Sequence, residues 1–153
     1  MKHKQIYTAR IYSAILLISI LCIVLSTIIQ SEKRQYALHQ ATFCSAITGA
    51  NGCEAVQTSA YGKIFGLDNP IYGIVGFTLL GILSFVLIKK GYNILKYLTI
   101  TGGIIAGIVA AIFLYLQTFV LHTYCIFCVF VDISSLILLG ISIYLLYDSI
   151  KHK

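Results

Sequence analysis

The chain has 153 residues, 59% hydrophobic and only 10% charged, with a formal net charge of +6. A soluble domain of this size carries roughly 25% charged residues, so this composition excludes an ordinary water-soluble fold and points to the bilayer as the main solvent. The basic excess is not interleaved with aromatics on any soluble stretch, which excludes a nucleic-acid-binding surface.

Crossing the hydrocarbon core as a helix takes about 20 mostly apolar residues, because only internal hydrogen bonds satisfy the backbone there. Four stretches meet that requirement and predict an all-α, polytopic four-helix bundle over residues 1–153, read as a single membrane domain. The first covers residues 11–29; it carries no charge, is too long for a signal-peptide core and lacks an Ala-x-Ala cleavage signal. A loop of about residues 30–70 follows and is expected to cap the bundle. The second helix, about 71–88, starts directly after Pro70, whose missing N–H needs no partner in a first helical turn. The third, about 98–121, contains Gly103-Ile104-Ile105-Ala106-Gly107, small residues that let helix backbones approach closely in lipid. The fourth, about 126–147, has one acid, Asp132, in its first turns.

Basic residues set the orientation. Lys2, Lys4 and Arg10 precede the first helix, Lys89, Lys90 and Lys96 join the second and third, and Lys151 and Lys153 follow the fourth. The opposite side has only Lys33, Arg34 and Lys63, spread over a much longer loop. The positive-inside rule therefore predicts cytoplasmic termini.

That orientation puts Cys44, Cys53, Cys125 and Cys128 on the outer side, an oxidising compartment in which disulfides persist. Cys125-Ile126-Phe127-Cys128 lies where the fourth helix begins. A cysteine there meets the positive end of the helix dipole and unsatisfied N–H groups, which favour the thiolate, so Cys125 is the candidate nucleophile. Cys128, one turn deeper, is within reach of a lipid-soluble quinone. Cys44 and Cys53 lie in a segment with Ser45, Thr48, Gly49, Asn51 and Gly52, flexible enough for a disulfide to swing. A mobile outer pair and a fixed pair at the membrane surface make a relay.

Two plainer readings stand beside it. The pairs could be structural staples, a weaker reading for Cys125 and Cys128, whose small helical loop is a poor cross-link, and the cysteines with His39 and His122 are possible zinc ligands, although the spacing of Cys44 and Cys53 fits zinc badly. Neither His needs more than an interfacial role, and Cys22, inside the first helix, reads as packing. Asp132, four residues after Cys128, shares its face; an acid at that depth favours a wet cavity or bundle interior and is a candidate proton relay, unless it stays hydrated near the interface.

The run Cys44…Cys53-Glu-Ala-Val-Gln-Thr-Ser59-Ala-Tyr61-Gly62…Asn69-Pro70-Ile-Tyr-Gly73, followed by Cys125-Ile-Phe-Cys128, resembles the vitamin K epoxide reductase family across the loop and all four helices. The resemblance implies a four-helix bundle around a quinone pocket capped by the first loop. In prokaryotic members electrons come from a thioredoxin-like protein that oxidises secreted proteins; in animal members they reduce vitamin K or its epoxide. By position, Cys44 would meet the partner, Cys53 would pass electrons to Cys125, and Cys128 would act on the quinone. Asn69 matches a quinone-carbonyl contact and Ser59 a loop hydroxyl position.

Where animal members have Thr-Tyr-Ala after the Cys-x-x-Cys, this chain has Val131-Asp132-Ile133, which speaks against vitamin K epoxide as substrate. The chain ends before a fused thioredoxin-like domain would fit, so a separate partner is expected. The expected function is a quinone-linked thiol-disulfide oxidoreductase supporting disulfide formation, with a menaquinone, ubiquinone or vitamin K type acceptor and no metal. The alternatives are a vitamin K or vitamin K epoxide reductase of the endoplasmic reticulum, and a non-enzymatic membrane scaffold with structural disulfides. The terminal Ile150-Lys-His-Lys lacks a dilysine retrieval signal and favours a prokaryotic cell membrane.

Overall fold

A computed structural model describes residues 2–38, 44, 52–90 and 92–151. Helix α1 runs Lys2–Ala37, a short helix α2 covers Gly52–Thr58, and a 3-10 turn, Ala60–Gly62, leads into a hairpin of β1 (Lys63–Ile64) and β2 (Leu67–Asp68). Helix α3 is Asn69–Lys90 and α4 is Asn93–Tyr115, continued by a π-helical turn, Leu116–Val120; α5 is Ile126–Lys151. The four long helices contain apolar spans at Ala9–Gln35, Asn69–Lys90, Asn93–Val120 and Ile126–Lys151. This is an all-α polytopic membrane bundle with one small hairpin.

The helices are longer than their apolar runs. α1 continues past Ile29 through Glu32, Lys33 and Arg34, straight-chain residues that lose little rotamer freedom in a helix. The expected loop of residues 30–70 is therefore partly α1, α2 and hairpin. Of the segment expected to be flexible, residues 45–51 lie outside the described residues, as does His39. Pro70 sits in the first turn of α3, where its lack of an N–H costs nothing.

Close packing unites α4 with α5. A Cβ built on Gly103 would strike the Ser142 side chain, and one on Gly107 would strike Leu139, so glycine is what allows the two backbones to approach. The interior also buries hydroxyls. Ser19 donates to the Ile15 carbonyl at 2.8 Å, Ser84 to that of Leu80 at 2.8 Å and Ser135 to that of Val131 at 2.8 Å, so each polar group is satisfied within its own helix. Cys22 is fully buried among Tyr12, Ile15 and Leu138. Leu17, Leu21, Ile137 and Ile143 stay exposed, the surface that lipid covers.

The hairpin is fastened to the top of α1. Lys33 Nζ donates to Asp68 Oδ1 at 2.6 Å and Gln30 Nε2 to Asp68 Oδ2 at 3.2 Å. The bond from Lys33 holds the Asp68 carboxyl below the usual carboxylate range, with Gln30 adding to it. Phe65 (φ 49°) and Gly66 (φ 80°) supply the two left-handed positions that a tight two-residue hairpin turn needs. Tyr72 Oη donates to the Ile64 carbonyl at 2.9 Å, joining the hairpin to α3.

Candidate active site

Cys44 and Cys53 are joined by a disulfide, with their Cα atoms 6.4 Å apart. Cys53 is placed by the first turn of α2, and Cys44 is held from the other side: its backbone N–H donates to Glu32 Oε2 at 3.1 Å. Glu32 is itself 4% exposed, so a carboxylate at the head of α1 lies buried under the disulfide. Cys44, Cys53 and Cys125 form one buried cluster, with Val56, Phe127 and Cys128 packed against it. The outer disulfide and the Cys-x-x-Cys therefore sit together.

Cys125 opens α5. Its carbonyl accepts the Val129 N–H at 2.9 Å, the first bond of the helix, and its sulfur accepts the Cys128 N–H at 3.4 Å. Its thiol is pulled below the ordinary cysteine pKa, first by a hydrogen bond from the Cys128 side chain, then by the N–H groups of Cys128 and Phe127, against the opposing effect of burial. Gln57, one turn beyond Cys53 on α2, lies near enough to favour the same thiolate, yet neither of its amide atoms makes a hydrogen bond of full geometry. Cys125 and Cys128 are both free thiols, and Cys22 is a third, buried away from them in the core.

Cys128 is half-buried and lines a cavity of about 630 Å³ enclosed by α1, α2, α3, α4 and α5. Ser59, Asn69 and Asp132 line the same cavity, so it gathers the three non-cysteine residues expected beside the acceptor. Ser59 spends its hydroxyl on the Val56 carbonyl at 2.7 Å. Asn69 Nδ2 donates to the Tyr61 carbonyl at 2.6 Å, which leaves Asn69 Oδ1 buried without a partner. Asp132 is 6% exposed, so it is a buried acid and not a hydrated interfacial one.

Three residues enter the site that sequence reasoning passed over. Gln117, 2% exposed in the π-helical turn, accepts the Cys125 N–H on Oε1 at 3.1 Å and donates from Nε2 to Asp132 Oδ2 at 3.1 Å. Gln57 and Glu32 are the others. The available signal was an amide inside an otherwise apolar span, Gln117, and an acid just beyond the first one, Glu32. His122 is exposed in the loop before Cys125, with φ 49°, and takes no part in the cluster. The disulfide removes two of the four outer sulfurs from any metal set, and among the described residues no three His, Cys, Asp or Glu side chains gather as a cation site.

Residues 13–149 match the vitamin K epoxide reductase family. The chain belongs to the vitamin K epoxide reductase family. No curated protein matches it. Vitamin K epoxide reductase family members are oxidoreductases that use quinones, and this multi-pass membrane protein is an oxidoreductase. The match runs through every long helix and both cysteine pairs, which ties the family to the whole bundle and not to one motif.

Proposed function

We propose that this family member takes electrons from a separate thioredoxin-like dithiol on the outer side of a cell membrane and delivers them to a membrane quinone of menaquinone, ubiquinone or vitamin K type, thereby supporting disulfide bond formation. The basic residues at both ends and between α3 and α4 support cytoplasmic termini, which turn the cysteines outward.

Each exchange is an attack of a thiolate on a disulfide sulfur. A partner thiolate attacks Cys44 Sγ and releases Cys53 as the thiolate; the partner's second thiolate then displaces Cys44, so the partner leaves oxidised and Cys44 and Cys53 are both reduced. Cys53 attacks Cys125 of an oxidised Cys125–Cys128 pair, and Cys128 leaves. Cys44 closes back on Cys53, and Cys125 leaves as the second thiol. A bound quinone accepts two electrons and two protons to become the quinol. Cys125 and Cys128 give up those two electrons and two protons as their disulfide re-forms, which balances the cycle.

The observation that carries this reading is the joint burial of Cys44, Cys53 and Cys125 with Cys128 on the cavity wall. The cavity also fits the acceptor chemically. Its wall is mostly apolar, and the unpartnered Asn69 Oδ1 and Gln57 amide are buried polar atoms that each cost about 1–3 kcal/mol unless a ligand pairs with them. Asp132, buried on the same wall, supports this reading as the group that hands a proton to an acceptor oxygen and regains it from the dithiol. The test is purified protein in lipid with a quinone and a reduced thioredoxin-like partner, following quinol formation. Stoichiometric quinol and oxidised partner support the reading; partner oxidation without quinol, or neither, overturns it.

A further inference from the structure

Gln117 joins two parts of the site that chemistry would otherwise leave independent. It stands in the π-helical turn, where the i to i+5 bond from the Leu121 N–H to the Leu116 carbonyl, 2.9 Å, replaces ordinary helical pairing. Its own carbonyl accepts the Thr123 N–H at 3.2 Å, so its backbone is fixed at both the helix end and the following loop.

The amide has only one possible orientation. The Cys125 N–H is a donor and nothing else, so the atom facing it at 3.1 Å must be Oε1, and Nε2 is then forced toward Asp132. Nε2 is a donor only, and therefore Asp132 Oδ2 must act as an acceptor. The carbonyl oxygen of a carboxylic acid is its better acceptor, so the bond from Nε2 favours a proton carried on Oδ1. One backbone N–H at the start of α5 thus biases, through one side chain, which carboxyl oxygen is the acid.

We propose that Gln117 is a positioning residue for the quinone half-reaction, holding Asp132 Oδ2 as an acceptor so that Oδ1 gives the proton to the acceptor oxygen beside Cys128. This rests on the proposed quinone reading of the cavity. The proton balance is unchanged: Oδ1 gives one proton and regains one from the Cys125 and Cys128 thiols, so Asp132 ends as it began. The charged and titratable groups that feel Asp132 are Cys128 on its own helix and Cys22 from α1, while Gln117 faces it from the end of α4. Lys33 and Tyr61 line the same cavity farther toward the cap, Lys33 already paired with Asp68.

Two substitutions separate this from a merely structural role. Gln117→Leu removes both bonds. Gln117→Glu, while the introduced carboxyl shares a proton with Asp132, keeps an acceptor for the Cys125 N–H and a donor for Oδ2, but loses that donor when the proton is lost. In lipid with a quinone and a small dithiol, Gln117→Leu is expected to lower kcat for quinol formation about tenfold or more across pH, with KM little changed. Gln117→Glu is expected to approach the parent rate at low pH and fall away as pH rises. A second readout needs no turnover: the infrared carboxyl C=O band that disappears in Asp132→Asn should shift in Gln117→Leu.

Superimposable pH profiles for the parent and Gln117→Glu, or an Asp132 carboxyl band unmoved in Gln117→Leu, would overturn the proposal. A uniform loss in both variants with a fall in melting temperature would also overturn it, as the mark of simple destabilisation. If the parent itself forms no quinol, the quinone reading has failed, an outcome distinct from a parent that turns over and variants that match it.

Discussion

Gln117 Oε1 accepts the backbone N–H of Cys125 at 3.1 Å, so the end of the third long helix caps the start of the fourth. That bond places the reactive cysteine on a fixed platform. The same helix start presents the N–H groups of Cys128 and Phe127, which with the Cys128 thiol stabilise a Cys125 thiolate. The outer disulfide is held differently, by a carboxylate at the head of α1 and by a short helix.

The reactivity of Cys125 should follow pH in a predictable direction. Because a hydrogen bond from Cys128 is the leading cause of its lowered pKa, its alkylation by a small permeant reagent should reach half-maximal rate at a lower pH than that of an ordinary cysteine. Cys128→Ala removes that donor and should move the curve to higher pH. Peptide mapping of labelled Cys125 against pH reads this directly; an unmoved curve would contradict the assignment.

Glu32 is expected to hold the outer disulfide closed. Its bond to the Cys44 N–H is buried, and leaving that N–H without an acceptor costs about 1–3 kcal/mol. In Glu32→Ala, the Cys44–Cys53 bond should be reduced several-fold faster by a water-soluble thiol, since Cys44 is only 1% exposed while that contact lasts. Glu32→Gln, which keeps an acceptor, should lie between the two. Equal reduction rates in all three proteins would show that Glu32 does not restrain Cys44.

Helix packing gives a stability test. Gly107→Val drives a side chain into Leu139 and should destabilise by about 1–3 kcal/mol, read as a lower melting temperature in detergent. Gly140→Ala is the control: a Cβ there meets nothing within 4 Å, and alanine is the better helix former, so stability should hold or rise.

Much of this was legible in the sequence because the bilayer imposes a simple code. Runs of bilayer length with at most one charge marked the four spans, and Pro70 marked a helix start. The helix ends were not legible. Hydropathy locates the part of a helix in lipid, whereas α1 goes on through Glu32, Lys33 and Arg34 because those residues suit a helix in water equally well. The cysteine pairs stood out by spacing, but the roles of Gln117, Gln57 and Glu32 come from contacts across separate elements. Nothing local in Leu116–Val120 announces a π-helical turn, and without that turn the partners of Gln117 have no sequence signature.

The proposed orientation has its own check. In intact cells, after mild reduction, a membrane-impermeant maleimide should label Cys44 or Cys53 and leave Cys22, which is fully buried in α1, unlabelled. Labelling only once the inner face is opened would reverse the topology.

The relay from Cys53 to Cys125 is the centre of the account, and trapping it is the most direct measurement. When Cys53 attacks Cys125, Cys128 is the leaving thiolate; in Cys128→Ser the Cys125 thiolate instead attacks Cys53 of the outer disulfide, Cys44 leaves as the thiolate, and the Cys53–Cys125 bond lacks the inner cysteine that would resolve it. Disulfide mapping of Cys128→Ser, purified after alkylation of free thiols, is predicted to show a Cys53–Cys125 cross-link and no quinol formation, with Cys44 free. A Cys128→Ser protein that retains only Cys44–Cys53, forms no Cys53–Cys125 bond and still reduces quinone at the parent rate would contradict the relay.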